Sequence, residues 1–147
     1  MTAKELMKQC EAEEKELKFR EFSSETALAI GMALIEEAKK RDNKICIDIA
    51  IAGRRLFHYS SDGNAVSNDI MIERKKKTAM HTGHSSLWAH YMLEDCGMNI
   101  KEKWALEPSE YAQVGGAFPI RLENCQTVIG TICLLYTSPS PRDGATS

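Results

Sequence analysis

Tyr111 to Ile132 reads YAQVGGAFPIRLENCQTVIGTI, two short apolar runs joined by a turn, with a glycine pair ahead of the first. Gly115 and Gly116 can take a positive φ or let another backbone come close. Pro119 has no N–H to give, so it suits a strand start, an edge or a bulge. The segment reads as a hairpin that starts on a special backbone.

A second hairpin lies earlier in the chain. Ile45, Ile47, Ile49 and Ile51 alternate strictly, which predicts a strand with one wholly apolar face, and Ala52-Gly53 turns it into a second strand from Arg54 to about Ser60. Between Ser23 and Arg41 the period changes to that of a helix. Ala27, Ile30, Gly31, Leu34, Ile35 and Ala38 share one face, Ser23 caps the start beside Glu25, and Lys39, Lys40 and Arg41 complement the negative end before the Asp42-Asn43 turn.

The other helices carry weaker patterns. Thr2 to about Glu14 has only a narrow stripe of Leu6, Met7 and Cys10, so a peripheral helix is expected, used for packing or subunit contact. After an extended piece around Leu17 to Phe19 and the later Asp62-Gly63-Asn64 loop, Asn68 or Asp69 caps a helix from Ile70 to about Thr82, which Gly83 ends. Ser85 or Ser86 caps the next, with Leu87, Trp88, Tyr91 and Met92 inward and Gly97 as its stop. Asn99 to Leu106 is expected to be extended, and Pro108-Ser109-Glu110 to make one helical turn. Helices, strand pair, helices, strand pair predicts an α+β fold with a central antiparallel sheet flanked by helices.

At 147 residues the chain has one-domain length, and its formal net charge of -2 offers no electrostatic argument for nucleic acid. The five cysteines, Cys10, Cys46, Cys96, Cys125 and Cys133, have neither CxxC spacing nor a CxxCH site, and no signal-peptide pattern precedes them. Reduced thiols in a cytoplasm are expected. No apolar run approaches the ~20 residues that a bilayer span needs, so no membrane partner is expected either.

Three groups of residues could carry chemistry. Arg74-Lys75-Lys76-Lys77 is the densest charge, but four consecutive helical residues spread over ~300°, so they cannot form one patch. Arg74, Lys77, Thr78 and His81 do share a side that could hold a carboxylate or phosphate; the plainer alternative is a solvated face with Glu73 paired to Lys77. Among His58, His81, His84 and His90 no spacing is diagnostic of a metal or of haem iron, and surface or helix-end roles are the preferred reading. Asp48, opposite the isoleucines, either orients a basic group such as Arg121 or Lys75 or faces water. Tyr111 and Arg121 flank the glycine pair and offer a hydroxyl, a guanidinium and bare N–H groups, which suit an anion or a haem propionate; a plain turn with an exposed arginine is the alternative. No Ser-His-Asp order, Walker loop or GxGxxG fingerprint is present, so no catalytic constellation is visible.

The pattern Gly-Gly-x-x-Pro-Ile, a short turn, then Val-Ile-Gly-x-Ile resembles the signature hairpin of the GlcG/HbpS-like superfamily, and within it the heme-degrading domain-containing branch. The matched region runs from about Phe22 to Ile132. This resemblance implies an antiparallel sheet with packed helices, a homo-oligomer, and binding of haem or another small anionic ligand. The positions it implies for that ligand are Arg74, Lys75, Tyr111, Gly115, Gly116 and Arg121. A scaffold protein without catalytic activity, or an enzyme acting on a small carboxylate or phosphate compound, are the alternatives. Relatives continue the last strand into a Val-Ser-Gly segment and a closing helix, which are expected to be incomplete here. Cys133 to Asp143 reads, codon by codon, like a translated sequencing-library adaptor, so the domain is expected to occupy 1–132 and a non-native tail 133–147.

Overall fold

β1 (Lys44–Ile51) is the strand on which the fold is assembled. Its isoleucines point to one face and Cys46, Asp48 and Ala50 to the other, and both faces are covered, so six consecutive residues from Ile45 to Ala50 are buried. The Ala52-Gly53 turn, with φ of 50° and 81°, leads into β2 (Arg54–Ser60), which pairs antiparallel with β1 as the alternation predicts. β3 (Ala117–Leu122) and β4 (Cys125–Thr137) form the second hairpin. β4 also pairs with β1, giving an antiparallel sheet in the order β2-β1-β4-β3. The structure, a computed structural model, describes residues 1–137.

β4 does not stop at Ile132. Cys133 to Thr137 stay on β1, with Asp48 opposite Cys133 and Lys44 opposite Thr137, because Cys133, Leu134 and Leu135 keep supplying side chains that the two layers can cover. The domain boundary expected after residue 132 therefore falls within a continuous strand. The remainder of the tail expected from the sequence, 138–147, lies outside the described residues.

One layer of the sheet is covered by α2 (Ser24–Lys40). Ser23 caps it by accepting from the Thr26 N–H, and Ala27, Ile35 and Ala38 pack on Ile45, Ile47, Ile49 and Ile120. Ile45, Ile47 and Ile49 are almost wholly enclosed, and each contributes roughly 1.5–3 kcal/mol by burial. The opposite layer is α3 (Val66–Thr82), whose Ile72 and Ala79 meet Cys46, Ala117 and Cys133. α3 starts earlier than the Asn68 or Asp69 cap predicts. Its N-cap is Ala65, which has no side chain to cap with, so the sequence carries no start signal there. Gly83 ends it at φ 72°, as expected.

α4 (Ser86–Cys96) begins under a Ser85 cap and packs on α1 (Ala3–Glu16) through Met7, Cys10, Trp88 and Ala89. α5 (Ile100–Trp104) replaces the extended segment expected at Asn99 to Leu106. Asn99 and Glu102 build a reciprocal capping box around a single turn with Ile100 buried, which is too short to show helical periodicity. Phe19 adds a parallel bridge to Leu122, tying the α1–α2 linker to the edge of β3.

Candidate functional site

Met7, Cys10 and Glu14 lie on one stripe of α1, spaced three and four residues apart, so the face that packs on α4 carries a carboxylate into the interface. Glu14 is 4% exposed. A carboxylate in that position must be satisfied, and three partners do so. His84 approaches Oε1 at 2.8 Å through Nδ1, the Ser85 N–H donates to Oε2 at 3.0 Å, and Arg121 reaches Oε1 from the end of β3 at 3.4 Å. Because a carboxylate only accepts, Nδ1 of His84 carries a proton in this contact, which leaves Nε2 as the ring nitrogen not committed to Glu14.

The surroundings fix this group. Arg121 also donates to the carbonyls of Gly83 and Gln126. Trp88 stacks on the His84 ring with centroids 4.0 Å apart, while its indole N–H donates to Glu11 at 2.9 Å. Burial pushes the Glu14 carboxyl up, but the bonds from His84 and Ser85 and the Arg121 charge outweigh it, so it lies below the ordinary value. Above the cluster opens a pocket of about 410 Å³, with Lys15 and Lys18 joining His84 and Arg121 in its wall. The first helix is thus more than a packing element. Glu14 had no sequence signal and His84 stood among four histidines without diagnostic spacing, since the ion-paired residues come from α1, the α3–α4 turn and β3.

Of the six expected ligand positions, Arg121 alone lines this pocket. Arg74 donates to the carbonyls of Pro108 at 2.8 Å and Tyr111 at 3.3 Å, holding the segment that leads to β3. Tyr111 sets its ring edge-on to His81. Lys75 is buried on the α3 side of the sheet and donates to the Leu134 carbonyl at 3.3 Å; burial lowers its affinity for a proton. Gly116 has φ 137°, and a Cβ there would collide with that same carbonyl and stand 2.8 Å from the Lys75 ammonium. Gly115 lies against Leu87. Gly116 thus makes room for Lys75 and β4, in a region separate from Arg121.

Asp48 does not bond Arg121 or Lys75, and it does not face water. α3 covers it completely, and its partners are Arg55 at 2.7 Å, Lys76 at 2.8 Å and Nδ1 of His58 at 3.3 Å. Lys76 sits at Oδ1 as an ion contact without hydrogen-bond alignment. Glu73 joins Arg55 and Lys76 rather than Lys77, which pairs with Glu110 instead. A second pocket, about 540 Å³, opens over Arg55, Lys76 and Thr131. The thiols nearby are not ready nucleophiles, since burial pushes Cys46 up to about 11 and Cys133 up to about 12.

Residues 22–134 match the family model described as "Haem degrading protein HbpS-like". The chain belongs to the HbpS-like family. Within it, the chain is 34% identical over 142 residues to a UPF0303 protein of Edwardsiella ictaluri, covering 97% of this chain and 88% of that one. A UPF0303 protein of Streptomyces coelicolor is 36% identical over 132 residues, covering 90% and 81% respectively. Among solved structures, the Ybr137w protein superposes with a TM-score of 0.82 at 29% identity, over 90% of this chain and 78% of that one. A double mutant of Streptomyces reticuli HbpS gives a TM-score of 0.60 at 17% identity, over 81% and 77%, which speaks for the shared fold alone. The α+β architecture of HbpS-like proteins is the one found here, and no described helix is long and apolar enough to cross a membrane.

Proposed function

We propose that this HbpS-like chain binds haem in the pocket between α1, the α3–α4 turn and β3, with His84 as the iron ligand. The observation that carries this reading is the His84 ring held through Nδ1 by a buried carboxylate, beneath a wall containing Lys15, Lys18 and Arg121. The donors suit the iron and the propionates: a carboxylate on the far nitrogen orients an imidazole and raises its basicity as a ligand, and cations at the rim suit the propionates, with Glu11 and Gln126 completing a polar wall. Lys15 and Lys18 make no ion pair among the described residues, so their charge is available to a ligand. Haem bound there would supply an iron centre able to take a further small ligand or an electron. Trp88 stacked on His84 keeps the ring from swinging away from Glu14.

Titrating the protein with haem and following the Soret band tests this. A saturable shift that weakens at least tenfold in His84→Ala is expected, with a smaller loss in the Lys15→Glu, Lys18→Glu double variant. An equal shift in His84→Ala refutes the assignment. A small carboxylate or phosphate ligand without haem would instead show binding that depends on Lys15, Lys18 and Arg121 and not on His84.

We also propose that the chain is a cytoplasmic homo-oligomer. Leu28 and Met32 stand exposed one turn apart on the outer face of α2 and suit burial against a second copy. Met32→Glu should lower the mass measured by light scattering, and an unchanged mass would place the contact elsewhere.

A further inference from the structure

We propose that Cys46, His58 and Asp69 form a binding site for a divalent transition metal of the zinc class, separate from the haem pocket. Register brings the three together. Asp48 on β1 stands opposite His58 on β2, and Cys46 lies two residues away on the same face of β1. Asp69, in the first turn of α3, comes down over the pair. One ligand atom from each residue falls within 4.8 Å of the others.

Two of the three ligand-atom separations match a tetrahedral ion, and the third lies within 4.8 Å. With metal–sulfur near 2.3 Å and metal–nitrogen or metal–oxygen near 2.0 Å, a tetrahedral centre separates its ligand atoms by roughly 3.3–3.5 Å. Here Cys46 Sγ is 3.2 Å from Asp69 Oδ1, and His58 Nε2 is 3.4 Å from the same oxygen. His58 turns Nε2 toward the cluster because its other nitrogen faces Asp48, a buried carboxylate that only accepts. A carboxylate, a histidine and a metal position in that order is the arrangement that fixes the tautomer of a ligating imidazole. Asp48 is itself balanced by Arg55 and Lys76, so it can orient His58 without adding uncompensated charge to the site.

The donor set also selects the class of ion. A thiolate, an imidazole and a carboxylate favour zinc or cobalt over magnesium or calcium, which take oxygen ligands. Cys46 is closed off, whereas the His58 and Asp69 side chains are partly exposed, so an ion has a route in and a fourth position open to water. At present the Cys46 S–H donates to Asp69. Binding breaks that S–H bond, releases the proton to solvent and forms a metal–sulfur bond, with no change in oxidation state.

Cobalt(II) titration of the full chain decides the matter, because a thiolate ligand gives a charge-transfer band and four-coordination gives intense visible bands. One equivalent should saturate the signal, and zinc should displace it. Cys46→Ser should abolish the charge-transfer band, while Cys96→Ser, which changes an exposed thiol, should leave it intact. His58→Gln, at a partly exposed position, should weaken cobalt binding at least about tenfold, as should Asp69→Asn. Circular dichroism of the metal-free variants checks that each is folded. Absence of a saturable band, retention of the band in Cys46→Ser, or unchanged affinity in folded His58→Gln overturns the proposal. Haem titration of His58→Gln should be unaffected, so failure here and failure of the haem reading are distinguishable.

Discussion

Replacing Glu14 by alanine should destabilise the protein by about 3 kcal/mol, and the sum can be worked from its partners. Truncation leaves the Ser85 N–H buried without an acceptor, which costs about 1–3 kcal/mol. It also removes the counter-charge from Arg121, and breaking a buried ion pair from one side typically costs about 3–5 kcal/mol. Arg121 retains the Gly83 and Gln126 carbonyls and is not wholly enclosed, so its share falls well below that range. With a urea m-value of about 2 kcal/mol per molar, the midpoint should fall by about 1.5 M. Glu14→Gln keeps the shape and one acceptor and should lose about 1 kcal/mol. The pH profile supplies a second reading. Since the folded carboxyl lies below its ordinary 4.5, unfolding takes up a proton; this stabilisation is present above about 4.5 and disappears as pH falls through the folded value. The alanine variant should lack that portion of acid sensitivity. A loss under about 0.5 kcal/mol in Glu14→Ala, with an unaltered acid limb, would refute the view that this carboxylate organises the pocket.

Gly116→Ala should cost more than about 2 kcal/mol, because it adds a Cβ at positive φ against the backbone of β4, and thermal unfolding would report it. Lys75→Met should be neutral or stabilising by about 1 kcal/mol in urea unfolding, since burial opposes the charge; a loss above about 2 kcal/mol would mean the ammonium is needed. In the parent, the lowered Lys75 affinity means the unfolded chain holds the proton at pH values where the folded one has lost it. Stability should therefore rise with pH between the folded value and 10.5, and Lys75→Met should remove that rise. Ser23→Ala should lower stability by about 1 kcal/mol through loss of the α2 cap.

The parts of the fold legible in sequence are those where a long period meets a clear signal. The β1 isoleucines and the Ser23-capped face of α2 repeat a pattern over several pleats or turns, Ala52-Gly53 gives a local turn signal between two strands, and all three stand as read. α5 and the start of α3 were not legible, one being a single turn and the other having alanine at its cap. The site was harder for a different reason. Glu14 meets His84 70 residues away and Arg121 107 residues away, so no local spacing encodes the cluster. Cys46 and His58 are nearer in sequence, yet they share a face only once the register of the first hairpin is known. Asp48 looked ambiguous because alternation identifies its face without saying that α3 covers it.

The order β2-β1-β4-β3 has a consequence for the birth of the protein. β4 lies between β1 and β3, yet it is the last of the described strands to be synthesised. On a ribosome, α2 and the first hairpin can associate early, but one edge of β1 stays open until Thr137 reaches Lys44. Pairing across such a separation is slow relative to local contacts. The nascent chain thus carries an isoleucine-rich strand with one unpaired edge until β4 is made, and a chaperone that shields extended apolar segments should engage that edge before β4 arrives.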